Sequence, residues 1–290
     1  MQDQTPSRTA LATALMRSLH TRADPLPLID DPWGESLVPA AVTRAIAERL
    51  PPGASVDSWL RAIPAYSNVI TRSRFSEDAL GEAVARGVRQ VVMIGAGFDS
   101  YALRRPEAAR EVQVFEVDHP ATQNLKRSRI AACAAGEPAG LHFLAADLSR
   151  ESLDAVLARS PFRADLPAFF SWLGVTMYLG RDANLATLRA IADCAAPGSE
   201  LVFSYVDQAA FGAGAMAEEF QALQQSVANL GEPFVSGFDP AALAVELHAI
   251  GLELIEDRDD TQLVARYDPQ GLNGLRPSAR SRITRVRVPA

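Results

Sequence analysis

Residues 1 to about 86 carry apolar positions at three- and four-residue steps, without the short apolar runs of strands. Leu37, Val38, Ala41, Val42, Ala45, Ile46 and Leu50 share one helical face until Pro51-Pro52-Gly53 breaks it. A second helical stretch runs through Trp59, Tyr66, Ile70 and Phe75 towards Leu80. After Gly87 the texture changes. Apolar runs at Gln90 to Ile94, Val112 to Val117, Leu141 to Leu144, Ala168 to Trp172 and Ser199 to Val206 predict strands, separated by helical patterns around Thr122 to Ala134, Glu151 to Ser160 and Asp182 to Ala195. Such alternation predicts an α/β fold, a doubly wound and mostly parallel sheet that takes ligands beyond the carboxyl ends of its strands.

The last third departs from that alternation. Helical patterns at Ala213 to Leu230 and Pro240 to Ile250 lead to a strand at Leu252 to Glu256, a short helix near Thr261 to Tyr267 and a seventh strand at Arg282 to Val288, expected to enter antiparallel. The chain thus divides into a helical cap or lid over 1–86 and a ligand-binding domain over 87–290. A helical insertion after the fifth strand, about 208–250, is expected to cover the mouth of the sheet with the cap.

Composition narrows the function classes. With 290 residues and 48% hydrophobic content the chain can bury a large core. A net charge of -7 offers no basic footprint for nucleic acid. The one arginine cluster, Arg276, Arg280, Arg282, Arg285 and Arg287, reads as a solvated strand or tail. Cys133 and Cys194 lie far apart without metal-ligand spacing and read as reduced thiols of a cytoplasmic protein. No apolar segment approaches the ~18 residues that span a bilayer, so no membrane role is expected. A monomer and a homodimer both remain open.

The candidate chemistry sits at the strand ends. The first strand stops at Gly95-Ala96-Gly97, with Asp99 in the same loop, where absent side chains let backbone approach a ligand. The second strand ends in Asp118, 23 residues beyond Gly95, close to the spacing at which a carboxylate reaches ribose hydroxyls. Glu116, two residues deeper on the same face, reads as structural. A dinucleotide fingerprint wants a third glycine where this chain has Ser100, and Asp99 would repel a phosphate but suit a cation. A ribose- and adenine-bearing cation without phosphate matches both features, and S-adenosylmethionine is one. At the third strand end, Asp147 can accept from the adenine amino group while Leu148 packs on the ring; Asp147 could equally cap the following helix.

With IGAGFDSYALR at 94–104, VFEVDHPATQNLK at 114–126, AADL at 145–148 and SWLGVTMYL at 171–179, the chain resembles the leucine carboxyl methyltransferase family of class I S-adenosylmethionine enzymes. Ser7-Arg8-Thr9-Ala10, Asp31-Pro32 and Thr71-Arg72-Ser73-Arg74-Phe75 match its bacterial members, and the resemblance covers essentially the whole chain. It implies a seven-stranded Rossmann-like sheet and methyl transfer to an oxygen, often of a carboxylate. It also implies that Arg8 and Arg72 reach from the cap to the cofactor's carboxylate end and the acceptor, with Tyr178 facing the same place. The bland alternatives are a surface salt bridge for Arg72 and a packing ring for Tyr178. Where protein-modifying relatives carry an acid that meets the cofactor's ammonium, this chain has Leu173, and Asp99 is a substitute.

The reaction expected is methyl-ester formation on a small-molecule carboxylate. A carboxylate is ionised at neutral pH and needs no general base, whereas a phenol with a pKa of about 10 benefits from one. His119 follows Asp118 directly and could bind the cofactor, with loop packing as the bland alternative, since nothing pairs it with an acid as in a catalytic dyad; His142 reads as structural. Methylation of a phenol or hydroxyl of a secondary metabolite, methylation of a protein C-terminus, and cofactor binding without catalysis stay open. The acceptor pocket is expected to draw on Trp33, Trp59, Phe75, Phe211, Met216 and Phe220.

Overall fold

The computed structural model describes residues 5–105, 111–133, 136–212, 215–228, 231–278 and 280–289. Seven strands form one sheet: β1 (Gln90–Ile94), β2 (Gln113–Asp118), β3 (Leu141–Ala145), β4 (Phe169–Trp172), β5 (Glu200–Val206), β6 (Glu253–Asp259) and β7 (Ser281–Arg287), in the order β3-β2-β1-β4-β5-β7-β6. β1 to β5 pair in parallel, and β7 runs antiparallel between β5 and β6. The chain winds outward from β1 to β3, then returns to β4 beside β1 and winds the other way. That reversal opens a crevice between the loops after β1 and β4.

The order of side chains along β1 shows how the sheet is held. Val91 and Met93 pack with Phe75, Ala79, Leu80 and Ala83 of α5 (Tyr66–Ala85), while Val92 and Ile94 face the opposite layer. A strand buried on both sides reads as a continuous apolar run because successive side chains point to opposite faces. The opposite layer includes α8 (Leu153–Ala158), α9 (Arg181–Cys194) and α11 (Pro240–Ala249), joined to the sheet through Val156, Leu188, Ile191, Leu243 and Leu247 around Trp172 and Phe203. At ~1.5–3 kcal/mol for each large apolar side chain taken out of water, these contacts are the main stabilising term.

The N-terminal helices α1 (Arg8–Ala23), α2 (Trp33–Leu37), α3 (Ala40–Ala47) and α4 (Val56–Ala62) share a separate core, with Leu11, Leu15, Leu19, Leu37, Leu60 and Phe98 among its buried members. Helix α5 belongs to both layers. Its second half lies on the sheet, and its first half, from Tyr66 to Ile70, enters the cap core. Arg72 therefore stands where cap and sheet meet. Between β1 and β2 lies α6 (Tyr101–Arg104), and α7 (Pro120–Cys133) follows β2. Helix α10 (Ala215–Ala228) lies in the insertion, and α12 (Asp260–Tyr267) joins β6 to the chain leading into β7.

The C-terminal arginines correct the expectation of a solvated tail. Arg282 bonds to Asp257 at 2.6 Å and to the Tyr205 hydroxyl, Arg285 to Glu200 and Glu82 at 2.7 Å, and Arg287 to Glu253 at 2.8 Å. Antiparallel pairing of β7 brings these acids alongside, which sequence order does not reveal.

Glu116 is fully buried on β2 and bonds to Lys126 of α7, equally buried. Burial pushes the Glu116 carboxyl up to about 7 despite the adjacent ammonium. Removing one partner leaves an uncompensated charge inside the protein. We expect Lys126→Met to cost about 3–5 kcal/mol in chemical denaturation, and Glu116→Gln combined with Lys126→Met to recover most of it.

Candidate functional site

β1 runs directly into Gly95-Ala96-Gly97. The Gly95 and Gly97 φ angles are +65° and +55°, a left-handed conformation that glycine adopts without strain. A Cβ on Gly97 would lie 3.1 Å from the Ala10 methyl of α1, and one on Gly95 would collide with Val175 in the loop after β4. The Gly95 N–H donates to the Val117 carbonyl at 2.8 Å, which holds the loop against the end of β2.

There the Asp118 carboxylate accepts the Gly97 N–H on one oxygen and the His119 N–H, at 2.6 Å, on the other. Burial raises the Asp118 carboxyl above its ordinary value, and the two amides oppose that rise. Oxygens that already hold the loop retain lone pairs that can receive ribose hydroxyls. Asp118 pairs in register with Ala145, so Asp147 lies just beyond its level on the neighbouring strand end. Asp147 accepts from the Ser149 N–H at 3.0 Å and the Ser149 hydroxyl at 2.6 Å. The N-cap of α8 is Ser152, so Asp147 shapes its own turn and does not cap that helix. Leu148 is half-buried against the sheet core.

On the other side of the crevice, Arg72 lies over Gly174. A Cβ there would sit 2.5 Å from Arg72 Nη2, and the Gly174 φ is +69°. Arg72 donates to Asn68 Oδ1 at 3.2 Å, and among the described residues no carboxylate lies within ion-pair distance of it. The surface salt bridge is thus excluded. Burial without a paired anion pulls its pKa down to about 10. Asp260, the acid that acts on it from farther away, is already engaged by the Thr71 hydroxyl at 3.0 Å, by Asn68 at 3.4 Å and by the Ser278 N–H. The result is a half-buried cation open to an incoming anion.

Tyr178 packs on Phe234 with ring centres 5.2 Å apart, and burial pushes its hydroxyl up to about 12 beside Thr9, Glu232 and Arg72. Glu232 closes this side. Its carboxylate accepts the Arg8 N–H at 2.9 Å, the Thr9 N–H at 3.3 Å, the Ser7 hydroxyl at 3.3 Å and the Thr9 hydroxyl, clasping the insertion to the start of α1. The described contact of Arg8 therefore runs through its amide; the residue is exposed, and no described contact links its side chain to Arg72.

Asp99 accepts the Tyr101 N–H at 2.7 Å and lines a cavity of about 20 Å³ with Ser73, Ser76, Glu77, Ser171 and Leu173. That volume holds about one water, between Leu173 and two acids. The His119 Nδ1 accepts the Ala121 N–H at 3.3 Å, a loop contact. His142 bonds to Gln113 at 2.8 Å and stacks on Phe115. Of the rings expected around the acceptor, Phe211 and Phe220 pack together and with Phe234 near Tyr178. Phe75 is buried between α5 and the sheet, Trp33 packs in the cap core, and Trp59 is exposed, so these three do not join that cluster. The Met216 side chain lies outside the described residues. Glu232 and Phe234 join the site without a sequence signal, since each acts on a residue distant in the chain; Asn68 lies one helical turn before Arg72, and Thr9 falls within the Ser7–Ala10 motif.

A glycine cradle against an acid-ended strand, a half-buried guanidinium without an ion-pair partner among the described residues and an acid-lined recess match a zwitterionic nucleoside better than a phosphate-bearing one. The comparisons agree. The family model for leucine carboxyl methyltransferase matches residues 10–192. A protein of Bacillus subtilis (strain 168), named provisionally as an S-adenosyl-L-methionine-dependent methyltransferase, is 29% identical over 88% of this chain and 89% of its own. One of Mycobacterium marinum, named likewise, is 34% identical over 77% and 72%. A crystal structure of a provisionally named methyltransferase from Thermobifida fusca YX superposes with a TM-score of 0.60 at 19% identity, covering 99% of this chain and 96% of that one, which shows the fold. Strand-end acids, glycine loop and family match together establish that this chain belongs to the leucine carboxyl methyltransferase family of S-adenosylmethionine-dependent methyltransferases.

Proposed function

We propose that the enzyme forms the methyl ester of a small-molecule carboxylic acid, with Arg72 and Tyr178 holding the acceptor. The observation that carries this reading is the Arg72 guanidinium, half-buried over Gly174 with no carboxylate in ion-pair distance among the described residues. A planar guanidinium offers a carboxylate two parallel hydrogen bonds, and partial withdrawal from water strengthens them.

S-adenosylmethionine supplies a methyl group activated by the positive sulfur to which it is bound. Asp118 receives the ribose hydroxyls, Asp147 and Leu148 the adenine, and the Gly95–Gly97 backbone the cofactor's body. Leu173 offers no charge to the methionine ammonium, and Asp99, on the wall of the adjoining recess, supplies it. The remaining task is alignment, for which effective molarities of about 10⁵–10⁸ M show how much orientation can contribute. His119 is engaged with the Ala121 amide and Tyr178 holds its proton, so neither stands as a base at neutral pH. A carboxylate needs none. The Glu232 clasp over the mouth supports a small acceptor over a protein tail.

A panel of carboxylic acids and phenols incubated with labelled cofactor tests the acceptor class. Label should appear as base-labile ester on acids; label confined to phenols and lost in His119→Ala would overturn the proposal. Arg72→Ala should lower turnover of the best acid at least about a hundredfold while leaving the melting curve within a few degrees of the parent. Gly174→Ala should displace Arg72 and cost about 1–3 kcal/mol in denaturation, with a parallel loss of activity. Asp118→Ala should weaken S-adenosylhomocysteine at least about tenfold in calorimetry, through its lost hydrogen bonds and the unpaired loop amides.

A further inference from the structure

The glycine loop is held from outside the sheet as well as from within it. Arg17, buried on α1, donates from Nη2 to the Phe98 carbonyl at 2.7 Å and from Nε to Asp31 at 2.8 Å. Asp31 is fully buried and also accepts the Trp33 N–H at 3.2 Å and the Gly34 N–H at 3.0 Å, which fixes the start of α2. Burial alone would raise its carboxyl, but Arg17, the Ser100 hydroxyl and Arg104 hold it below the ordinary carboxylate value. Arg104 then donates to the Ser100 hydroxyl at 2.9 Å and pairs with Glu77 at 2.5 Å. Ala10, one turn from the start of α1, meets Gly97 itself.

The cap thus touches both ends of the segment Gly97 to Ser100, and it does so with a charged network in a place where every polar atom must be paired. The Phe98 carbonyl fixes the peptide plane between Phe98 and Asp99, and so the direction in which the Asp99 amide and side chain leave the loop. If Arg17 lets go, the loop keeps its glycine conformations but loses the support that aims this peptide. Among the described residues no other cap side chain donates to a carbonyl of this loop; Leu11, Leu15 and Leu19 share an apolar core with the Phe98 ring, a contact that aims no peptide.

We propose that Arg17 is a positioning residue for the cofactor, its fork joining Asp31 to the Phe98 carbonyl so that docking of α1 and the binding-ready shape of the glycine loop are one equilibrium. The cap is then part of the cofactor site and not a cover that opens around it. Cofactor at the loop stabilises α1, and loosening α1 weakens the cofactor by the same factor, since coupling between two equilibria is reciprocal. This rests on the reading that Gly95–Gly97 holds the cofactor.

The test uses the full chain with S-adenosylhomocysteine, in calorimetry and in hydrogen exchange. In the parent protein the ligand should slow exchange both at residues 95–100 and along 11–20. Arg17→Lys keeps a cation beside Asp31 and the fold, but one ammonium lacks the rigid fork that serves both partners. We expect it to bind the ligand about tenfold more weakly, with its unliganded melting temperature nearly unchanged. Ligand-induced protection should persist at 95–100 and fall away along 11–20. Arg17→Met should show the same separation more strongly, and Arg44→Lys, on the exposed part of the cap, should show none. Unchanged affinity in Arg17→Lys, or α1 protection that survives the substitution, would overturn the proposal while leaving the loop as the cofactor site. A ligand that binds the parent without protecting 95–100 would overturn the loop reading and this proposal with it.

Discussion

Asp118 ends β2 with one carboxylate oxygen on the Gly97 amide and the other on the His119 amide. The two loops that frame one side of the crevice are thereby tied to a single side chain. A carboxylate drawn partly out of water is costly unless its lone pairs are met, and here two backbone donors meet them. Around the loop that this side chain holds, Val175 closes on Gly95 and Ala10 of α1 on Gly97.

Opposite it, the charge balance is reversed. Glu116 with Lys126, and Asp31 with Arg17, are closed pairs in which each charge has its partner. Among the described residues Arg72 has only the amide oxygen of Asn68 within hydrogen-bond reach. A guanidinium left open beside such closed pairs adds nothing to stability, and an opening of that kind is tolerated where a ligand fills it. The cleft therefore offers an anion its attraction on one side and a hydroxyl-bearing ligand its acceptors on the other. Tyr178 packs beside this cation in one cluster with Phe220 and Phe234.

Much of this was legible because it is local. Gln90 to Ile94 is an apolar run that ends in glycine, and the acids Asp118 and Asp147 fall at strand ends whatever the packing around them. The Leu173 departure was likewise plain from residues 171–179. Less was legible where a role depends on a partner far along the chain. Arg72 and Gly174 are about a hundred residues apart, and neither alone announces that one lies on the other. Glu232 reads as one more surface acid until α1 is folded against it. Arg282, Arg285 and Arg287 read as solvated because their acids belong to β5, β6 and α5. Phe75 was expected at the pocket with the other rings of the cap, but the second half of its helix lies on the sheet and carries it into that core.

The sequence by itself determined the strand and helix pattern, the glycine turn, the acids that follow it and the family, because periodicity, turn chemistry and motif spacing are written within short windows of chain. Tertiary structure decided which charges are closed and which is open. Pairing of a buried ion depends on distances set by the sheet's reversal between β1 and β4 and by the docking of α1. Those forces act between residues that are neighbours only after the core has formed.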